Sequence, residues 1–321
     1  MKNGRDAMKL YVFKRFLQLF LVMLLASFIT FGLSHLTPSD PAEMMLTSHD
    51  VIPTTELLEK TREEMGLNDP FIVQYGNWLS NLVTGDLGYS YSTRGPVTDV
   101  IGQRVFMTVK LAMVALFILV GCSLTLGILS AMQKNNWIDF TIRAFSLVGI
   151  SIPSFWLGLL LIYFFVVKLN WFKITDPTSL DSVILPAFTL SIPLIGRYTR
   201  QIRAAILDQY SQDFVIGARA RGIKESHILI RHVLPNALLG IITLLGLSVA
   251  VLLGGTVIVE SVFAWPGLGS MALEAITYRD YPLLQAYVIF MVFIYVIINF
   301  MVDIITQALN PRVEIRGEGK G

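Results

Sequence analysis

The sequence has little charge and almost no cysteine. Only 15% of its 321 residues are Asp, Glu, Lys or Arg, whereas soluble domains carry about a quarter. The single cysteine, Cys122, falls in an apolar run, which excludes an intrachain disulfide and a cysteine-based metal site. Hydrophobic residues make up 54% of the chain, and the mean hydropathy is +0.63. This composition predicts an integral membrane protein.

Histidine is also scarce. The chain has four histidines, none in the middle of an apolar run: His35, His49, His227 and His232. The last two are five residues apart, whereas a helical zinc pair needs i, i+4 spacing, so we predict surface histidines and no metal site. Ser151 and Ser191 lie in or near apolar runs, but no histidine at membrane depth can serve as their base. An intramembrane protease is therefore disfavoured.

Long apolar runs are what the chain does contain. We predict six spanning helices at about 16–36, 105–132, 140–167, 184–206, 237–263 and 283–309. Each is near the roughly 20 residues that a bilayer requires. The third run is interrupted by Pro153, which should kink or restart the helix. The predicted fold is an all-α polytopic membrane protein with a small extracytoplasmic insertion after the first helix.

The basic residues indicate the orientation of these helices. The segments assigned to the cytoplasm hold seventeen of the 25 Lys and Arg, so both termini are predicted to be cytoplasmic. The first run is longer than the roughly 7–15 apolar residues of a signal peptide, so we predict a retained span. The predicted organisation is 1–36 (N-terminus and first helix), 37–104 (extracytoplasmic cap), 105–309 (five-helix core with a cytoplasmic loop at 207–236) and 310–321 (cytoplasmic tail).

The loop at 207–236 is polar and basic. It carries four basic side chains: Arg219, Arg221, Lys224 and Arg231. Asp213 or Ser211 can cap a short helix whose apolar face is formed by Phe214, Val215 and Ala218.

The same loop contains helix-breaking signals. Gly222 should end the first short helix, and Ser226 is a plausible cap for a second one. Pro235 fits near the start of the next span, where a missing N–H costs little. The predicted bent pair of helices has an apolar ridge and basic flanks, which suits docking into a groove on a soluble partner.

The stretch from Gly217 to Gly222 imitates the start of a phosphate-binding loop. Such a loop requires Lys-Ser or Lys-Thr directly afterwards, and here Ile223 and Lys224 follow. We therefore predict that the chain does not hydrolyse ATP and binds no cofactor itself.

Among the ionisable residues of the predicted spans, we consider three as functional candidates: Lys110, Glu260 and Asp303. Anchoring at a span end and a role in a translocation path are both open for them. Glu260 is the preferred path candidate because Gly254 and Gly255 on the same helix favour a close helix crossing or gate. Pro153 is the fourth candidate for the gate.

The cytoplasmic loop resembles the EAA loop of the membrane subunits of bacterial ABC importers. Ala218, Gly222 and Leu234-Pro235 match that pattern at the family spacing, whereas its Glu, its middle Ala and its Ile are replaced by Ile216, Gly217 and His232. The run Ala-Arg-Ala-Arg-Gly is close to the variant in dipeptide, oligopeptide and nickel permeases.

The resemblance extends over nearly the whole chain. Further matching motifs occur in the same order: Gln74-Tyr75, Pro153-Ser-Phe-Trp156, Leu185-Pro186, Gly254-Gly-Thr256, Phe263-Ala-Trp-Pro-Gly-Leu-Gly269, Arg279-Asp-Tyr-Pro282 and Asn310-Pro-Arg312. It implies a type I ABC importer permease in the bacterial cytoplasmic membrane. It also implies residues that couple to the ATPase: Asp213, Phe214, Ala218, Arg219, Arg221, Gly222, Leu234 and Pro235.

The family implies partners and a substrate. The expected partners are a second homologous permease, two ATPase subunits that dock at 207–236 and bind ATP and Mg, an extracytoplasmic solute-binding protein and lipid, with no nucleic acid. Nickel, free or chelated, is the substrate that we favour, and di- or oligopeptides are the alternative. A stand-alone channel or protease is the alternative from another class, and it would be indifferent to mutation of Ala218 or Gly222.

Overall fold

A computed structural model describes residues 2–36, 40–173, 176–177 and 179–309. The helices are α1 (Lys2–His35), α2 (Pro41–Ser48), α3 (Thr55–Glu64), α4 (Phe71–Thr84), α5 (Val97–Met132), α6 (Trp137–Ser151), α7 (Ser154–Leu161), α8 (Leu180–Tyr210), α9 (Asp213–Ala220), α10 (Glu225–Ile228), α11 (Leu234–Val262), α12 (Leu268–Thr277) and α13 (Tyr281–Leu309). Two π-helical segments cover Ile162–Lys168 and Leu229–Val233. The predicted all-α fold is confirmed, with the addition of a two-residue antiparallel pair, β1 (Tyr89–Ser90) and β2 (Gly95–Pro96).

Among the described residues, four helices are long and apolar enough to cross a membrane: Arg15–His35, Val97–Met132, Gly240–Val262 and Tyr281–Thr306. A fifth candidate is the pair formed by α6 and Ser154–Lys168, which is bent by 104°. The helix at the predicted fourth span, α8, has 31 residues but is less apolar than these, because three arginines lie in its second half: Arg197, Arg200 and Arg203. The count of six spans stays a prediction.

Pro153 restarts the third run, as predicted. Helix α6 ends at Ser151, and Pro153 occupies the N-cap position of α7. Proline cannot continue a helix because it lacks an N–H and its ring clashes with the preceding turn. A bend of 104° is too sharp for a kink within one helix, so this stretch is a broken span or a re-entrant loop.

The chain divides into two compact units. The first comprises Met1–Met107 and Pro266–Val296. Its apolar core consists of residues from α5, α12 and α13: Val97, Ile101, Leu268, Met271, Ala275, Leu283 and Ala286. The buried carboxylate of Asp280 fastens the β-hairpin to this core, since it accepts from Ser90 Oγ at 2.6 Å and from Ser92 N at 2.9 Å.

The predicted cap segment, 37–104, lies in this first unit. It contains helix α3, where the Thr54 hydroxyl accepts from Leu57 N at 3.4 Å. A turn with Gly85 and Gly88 at φ 88° and 85° precedes β1. Helix α5 begins at Val97, earlier than the predicted start of the second span at 105.

The second unit comprises Thr108–Trp265 and Ile297–Gly321. Helix α8 packs there against α6, α7 and α11. At Gly196 a Cβ would lie 2.5 Å from Ser146 O, so α6 and α8 touch through their backbones. Small residues permit this approach between helices in a membrane. The predicted tail, 310–321, and its Asn310-Pro-Arg312 motif lie outside the described residues.

Candidate coupling surface and intramembrane carboxylate

The first short helix of the cytoplasmic loop is α9. Its Val215 and Ala218 are fully buried, whereas Phe214 is 40% exposed and Ile216 58% exposed. The predicted apolar face is therefore corrected, because Phe214 does not share the buried side of the helix. Two apolar side chains, Phe214 and Ile216, remain on its surface.

The predicted caps of these short helices are wrong. Gln212 occupies the N-cap position of α9 without a side-chain cap bond, and Asp213 is the first helical residue. There its carboxylate still meets the positive end of the helix dipole. Ser211 instead ends α8, and its hydroxyl donates to Asp208 O at 2.7 Å. Lys224 precedes α10, so Ser226 lies inside that helix.

The break between the two helices occurs at Gly222, as predicted. Its φ of +73° lies in the left-handed region that favours glycine. Arg219 and Glu225 form a two-pronged ion pair across the break, with Arg219 Nη2 donating to Glu225 Oε2 at 3.2 Å. The hydrogen bond lowers the pKa of Glu225 and raises that of Arg219. Because both side chains are about half exposed, the pair contributes at most about 1 kcal/mol.

The second short helix runs directly into the following span. Residues Leu229–Val233 are π-helical, and α11 begins at Leu234 with Pro235 in its first turn, as predicted. Ile228, Leu229 and Val233 are buried. The loop is therefore joined to α11 by a continuous helical backbone and a packed apolar base.

An open groove of about 480 Å³ borders the loop. It is lined mainly by the ends of α5 and α8 and by the loop itself, including Lys134, Tyr210, Arg219, Glu225 and Leu229. The Arg219 guanidinium lies 5.6 Å from the centre of the Tyr210 ring, a cation–π distance. No sequence pattern predicted this arrangement.

The carboxylate of Glu260 is fully buried within the second unit. Thr108 Oγ1 donates to Glu260 Oε1 at 2.7 Å. Glu260 is therefore packed inside the unit and not exposed at the end of its helix. Lys110 behaves differently, because its ammonium group donates to Pro177 O at 3.0 Å and lies 5.5 Å from the Trp265 ring centre. Asp303 is partly buried in α13.

The glycine pair on α11 does not form the close helix crossing that was predicted. A Cβ at Gly254 would meet nothing within 4 Å, and at Gly255 only Leu190 Cδ2 at 4.0 Å. Close contacts occur instead at Gly127, where a Cβ would lie 2.6 Å from Ile202, and at Gly196. Glycine in a span was the right signal, but the sequence does not tell which glycine faces a neighbouring helix.

Asp139 forms a polar cluster that the sequence did not reveal. This fully buried carboxylate accepts from Ser130 Oγ at 2.6 Å and from Asn135 N at 3.0 Å. Arg203 completes the cluster with two hydrogen bonds of 2.8 and 2.7 Å. The cluster ties the turn between α5 and α6 to α8. Ion pairs joined by two parallel hydrogen bonds are stronger than hydrogen bonds between neutral groups.

The first unit contains a separate cavity of about 710 Å³. Its wall includes the ion pair between Arg62 and Asp40 at 2.7 Å and the aromatic rings of Trp78 and Tyr91. Burial and the negative charge of Asp280 raise the pKa of the Tyr91 phenol. In the part of the chain that the structure describes, no group of three His, Cys, Asp or Glu residues could hold a metal ion.

Comparison with known proteins gives matches over almost the full length. The family model for a binding-protein-dependent transport system inner membrane component matches residues 123–315, and the corresponding N-terminal model matches 8–112. The chain is 36% identical to the metal-staphylopine import system permease protein CntB of Staphylococcus aureus, covering 94% of this chain and 97% of the relative. It is 37% identical to a putative peptide transport system permease protein of Brucella suis, covering 94% and 98%.

A third relative and a solved structure extend the comparison. The glutathione transport system permease protein GsiC of Escherichia coli is 35% identical, covering 95% of this chain and 99% of the relative. The inward-facing MetNI methionine ABC transporter has a similar fold, with a TM-score of 0.55 and 20% identity over 65% of this chain and 96% of that one. At that identity the structural likeness concerns the fold alone.

Proposed function

Because the chain belongs to the inner membrane components of binding-protein-dependent transport systems, we propose that it forms the path by which nickel, free or chelated, crosses the cytoplasmic membrane. It is a multi-pass ABC importer permease with the type I fold. Such a permease is a transport subunit and not an enzyme, and it works with an ATPase and a substrate-binding protein. We further propose that a second homologous permease and two ATPase subunits complete the complex, with both termini of this chain in the cytoplasm.

The coupling surface is formed by α9, Gly222 and α10. Phe214 and Ile216 project from it as exposed apolar side chains, while Arg221 and Lys224 supply positive charge at its edge. Short amphipathic helices bind grooves in this way. The ATPase subunits would hold these side chains, so that closure driven by ATP moves the loop.

The loop can transmit that motion because its inner side is packed. Val215, Ala218 and Ile228 are fully buried, and the backbone continues as helix from Glu225 into α11. A packed interior moves as a unit instead of deforming locally. The spans would then alternate between inward-facing and outward-facing arrangements, with Glu260 and the break at Pro153 as the candidate path and gate residues.

Nickel is favoured by the resemblance of the stretches 54–66 and 263–282 to nickel permeases, and by a relative whose name specifies import of a metal with staphylopine. A metal chelate would be recognised through its organic part, which needs no imidazole or thiolate ligands in the path. Small peptides are the second candidate, because two other relatives are named for peptide and glutathione transport.

Uptake by cells with and without the gene tests the substrate. Labelled nickel, labelled nickel with an excess of a chelator, and a labelled dipeptide are offered side by side. Loss of nickel uptake in the deletion strain, restored by the wild-type chain, is the expected result. Loss of dipeptide uptake alone would replace nickel by peptide and leave the transporter assignment intact, whereas no change in any arm would overturn both substrates.

A further inference from the structure

The depth of α1 in the membrane can be estimated from its sequence. Its apolar stretch, Arg15–His35, has 21 residues, which is about 31 Å of helix. This length matches the roughly 30 Å of bilayer hydrocarbon. Lys14 and Arg15 therefore lie at one boundary and His35 at the other.

Helix α4 packs against α1 well inside that boundary. Tyr75 Oη lies 2.8 Å from Ser27 Oγ, and the Tyr75 and Phe28 rings are edge to face at 5.3 Å between centres. Ser27 precedes His35 by eight residues, so the contact lies about 12 Å from the end of the span. At this level α1 also presents exposed Leu25 and Ile29, which are lipid-facing positions.

Contacts along α1 continue towards its end. The Phe31 ring lies 5.5 Å from Phe71 and 5.3 Å from Trp78, and a His35 ring nitrogen lies 2.9 Å from Gln74 Oε1. Helix α4 therefore packs along the side of the last third of α1.

The surface of α4 divides into an apolar and a polar half. At 100° per residue, the side that contacts α1 (Phe71, Tyr75 and Trp78) continues into a stripe formed by Ile72, Gly76, Leu79 and Val83. Ile72 is 67% exposed and Val83 80% exposed. The opposite half carries amide and hydroxyl side chains with one exposed apolar residue, Val73, and none of the 14 residues is charged.

The orientation of the polar half gives a second, independent indication. Gln74, Asn77 and Asn81 line the 710 Å³ cavity of the first unit, so the polar half faces the protein's own cavity. The exposed apolar stripe consequently faces away from it. A helix with one apolar face, an opposite polar face and Tyr and Trp side chains is typical of the membrane interface.

We propose that α4 is an interfacial helix seated in the membrane leaflet at the His35 end of α1, with Ile72, Leu79 and Val83 in contact with lipid acyl chains. The surface that it adds is continuous with the lipid-facing side of α1. The segment 37–104 is then not a cap wholly in water, as the sequence alone indicated, but is anchored in the bilayer along one helix. With the orientation proposed above, this is the outer leaflet.

The test uses single cysteines in a Cys122→Ser background. The full chain, reconstituted in liposomes with the subunits that copurify with it and without the solute-binding protein, carries a spin label at Ile72→Cys or Val83→Cys. Two positions serve as controls. Ser80→Cys lies on the polar half of α4, and Ile52→Cys lies in the connection before α3, where the Ile52 side chain is 83% exposed. The measurement is relaxation of each label by molecular oxygen, which concentrates in lipid, and by a water-soluble paramagnetic complex.

Lipid contact predicts a ratio of oxygen to aqueous relaxation above unity at positions 72 and 83 and below unity at position 52. High aqueous relaxation at 72 and 83, equal to that at 52, would overturn the proposal and place the stripe in water, free for the binding protein. Low relaxation by both agents would also overturn it, because a protein partner would then cover the stripe. None of these outcomes depends on the substrate or on coupling to ATP.

Discussion

At the scale of single residues, Glu260 combines burial with a short hydrogen bond from a defined donor. Thr108 Oγ1 lies 2.7 Å from its carboxylate, and the side chain is fully buried. We predict that Thr108→Val lowers the stability of the complex by about 1–3 kcal/mol, because a buried carboxylate loses a donor. A thermal melt of the purified complex measures this loss, and Thr125→Val, whose exposed hydroxyl bonds only its own helix, is the matched control.

The path role of Glu260 needs a different substitution. Glu260→Gln keeps the size of the side chain and removes its charge. If the charge serves the translocation path, uptake falls while the melting temperature and the amount of complex in the membrane stay near wild type. Wild-type uptake by this variant would remove Glu260 from the path and leave it as a structural acceptor for Thr108.

The Asp139 cluster makes a prediction about stability. Asp139→Ala leaves the Arg203 guanidinium, which is mostly buried, without its carboxylate. Breaking a buried pair from one side costs roughly 3–5 kcal/mol. The complex should therefore melt markedly lower or fail to accumulate, whereas Lys134→Ala in the neighbouring turn should have little effect. An unchanged melting temperature in Asp139→Ala would contradict the assignment of this cluster as a tie between α5, α6 and α8.

At the scale of elements, Gly222 separates two short helices that must keep their angle. A residue with a Cβ costs roughly 1–2 kcal/mol at a left-handed position, and proline cannot adopt a φ of +73° at all. We predict that Gly222→Pro inserts normally but loses ATP-coupled uptake. Gly217→Ala, inside α9 where a Cβ meets nothing within 4 Å, should retain it. Equal uptake by both variants would show that the angle does not matter.

The close approach of α6 and α8 makes a second prediction at this scale. A Cβ at Gly196 would lie 2.5 Å from Ser146 O, so Gly196→Ala must push the helices apart. Overpacking of this kind costs typically about 1–3 kcal/mol. The melting temperature should fall, while Gly254→Ala, with open space around the new methyl group, should match wild type. The reverse order would contradict the packing described for α8.

The elements show which features were predictable from the sequence. Pro153, Gly222 and Pro235 act through the backbone of their own residue, so local chemistry sufficed for the break, the bend and the start of α11. The caps failed because Ser211 bonds back to Asp208 at the end of α8, a choice that depends on where the preceding helix stops. Asp139 and Arg203 are far apart in the sequence, and no periodicity indicates that they meet.

At the scale of the whole molecule, sequence patterns identified the family but did not predict the proposed position of α4 in the membrane leaflet. Apolar runs and the motifs in the loop are each carried by a continuous stretch of sequence, and the comparisons agree with them. The position of α4 depends on contacts between Tyr75 and Ser27, which belong to helices separated along the chain by α2 and α3. A helix of 14 uncharged residues is too short to be recognised as membrane-associated by length alone.

The distinction between an importer subunit and a stand-alone channel also belongs to the whole molecule. A channel would pass its solute when the chain is reconstituted alone, whereas a permease whose path is opened through the loop requires the ATPase and ATP. We predict no solute entry into liposomes that contain only this chain, and entry that depends on ATP when the complete set of copurifying subunits and the binding protein are present. Because a leaky preparation would also admit an unrelated dye, dye exclusion serves as the control. Solute entry without ATP into liposomes that exclude the dye would refute the coupling role of α9 and α10, since motion of the loop would then be unnecessary for opening the path.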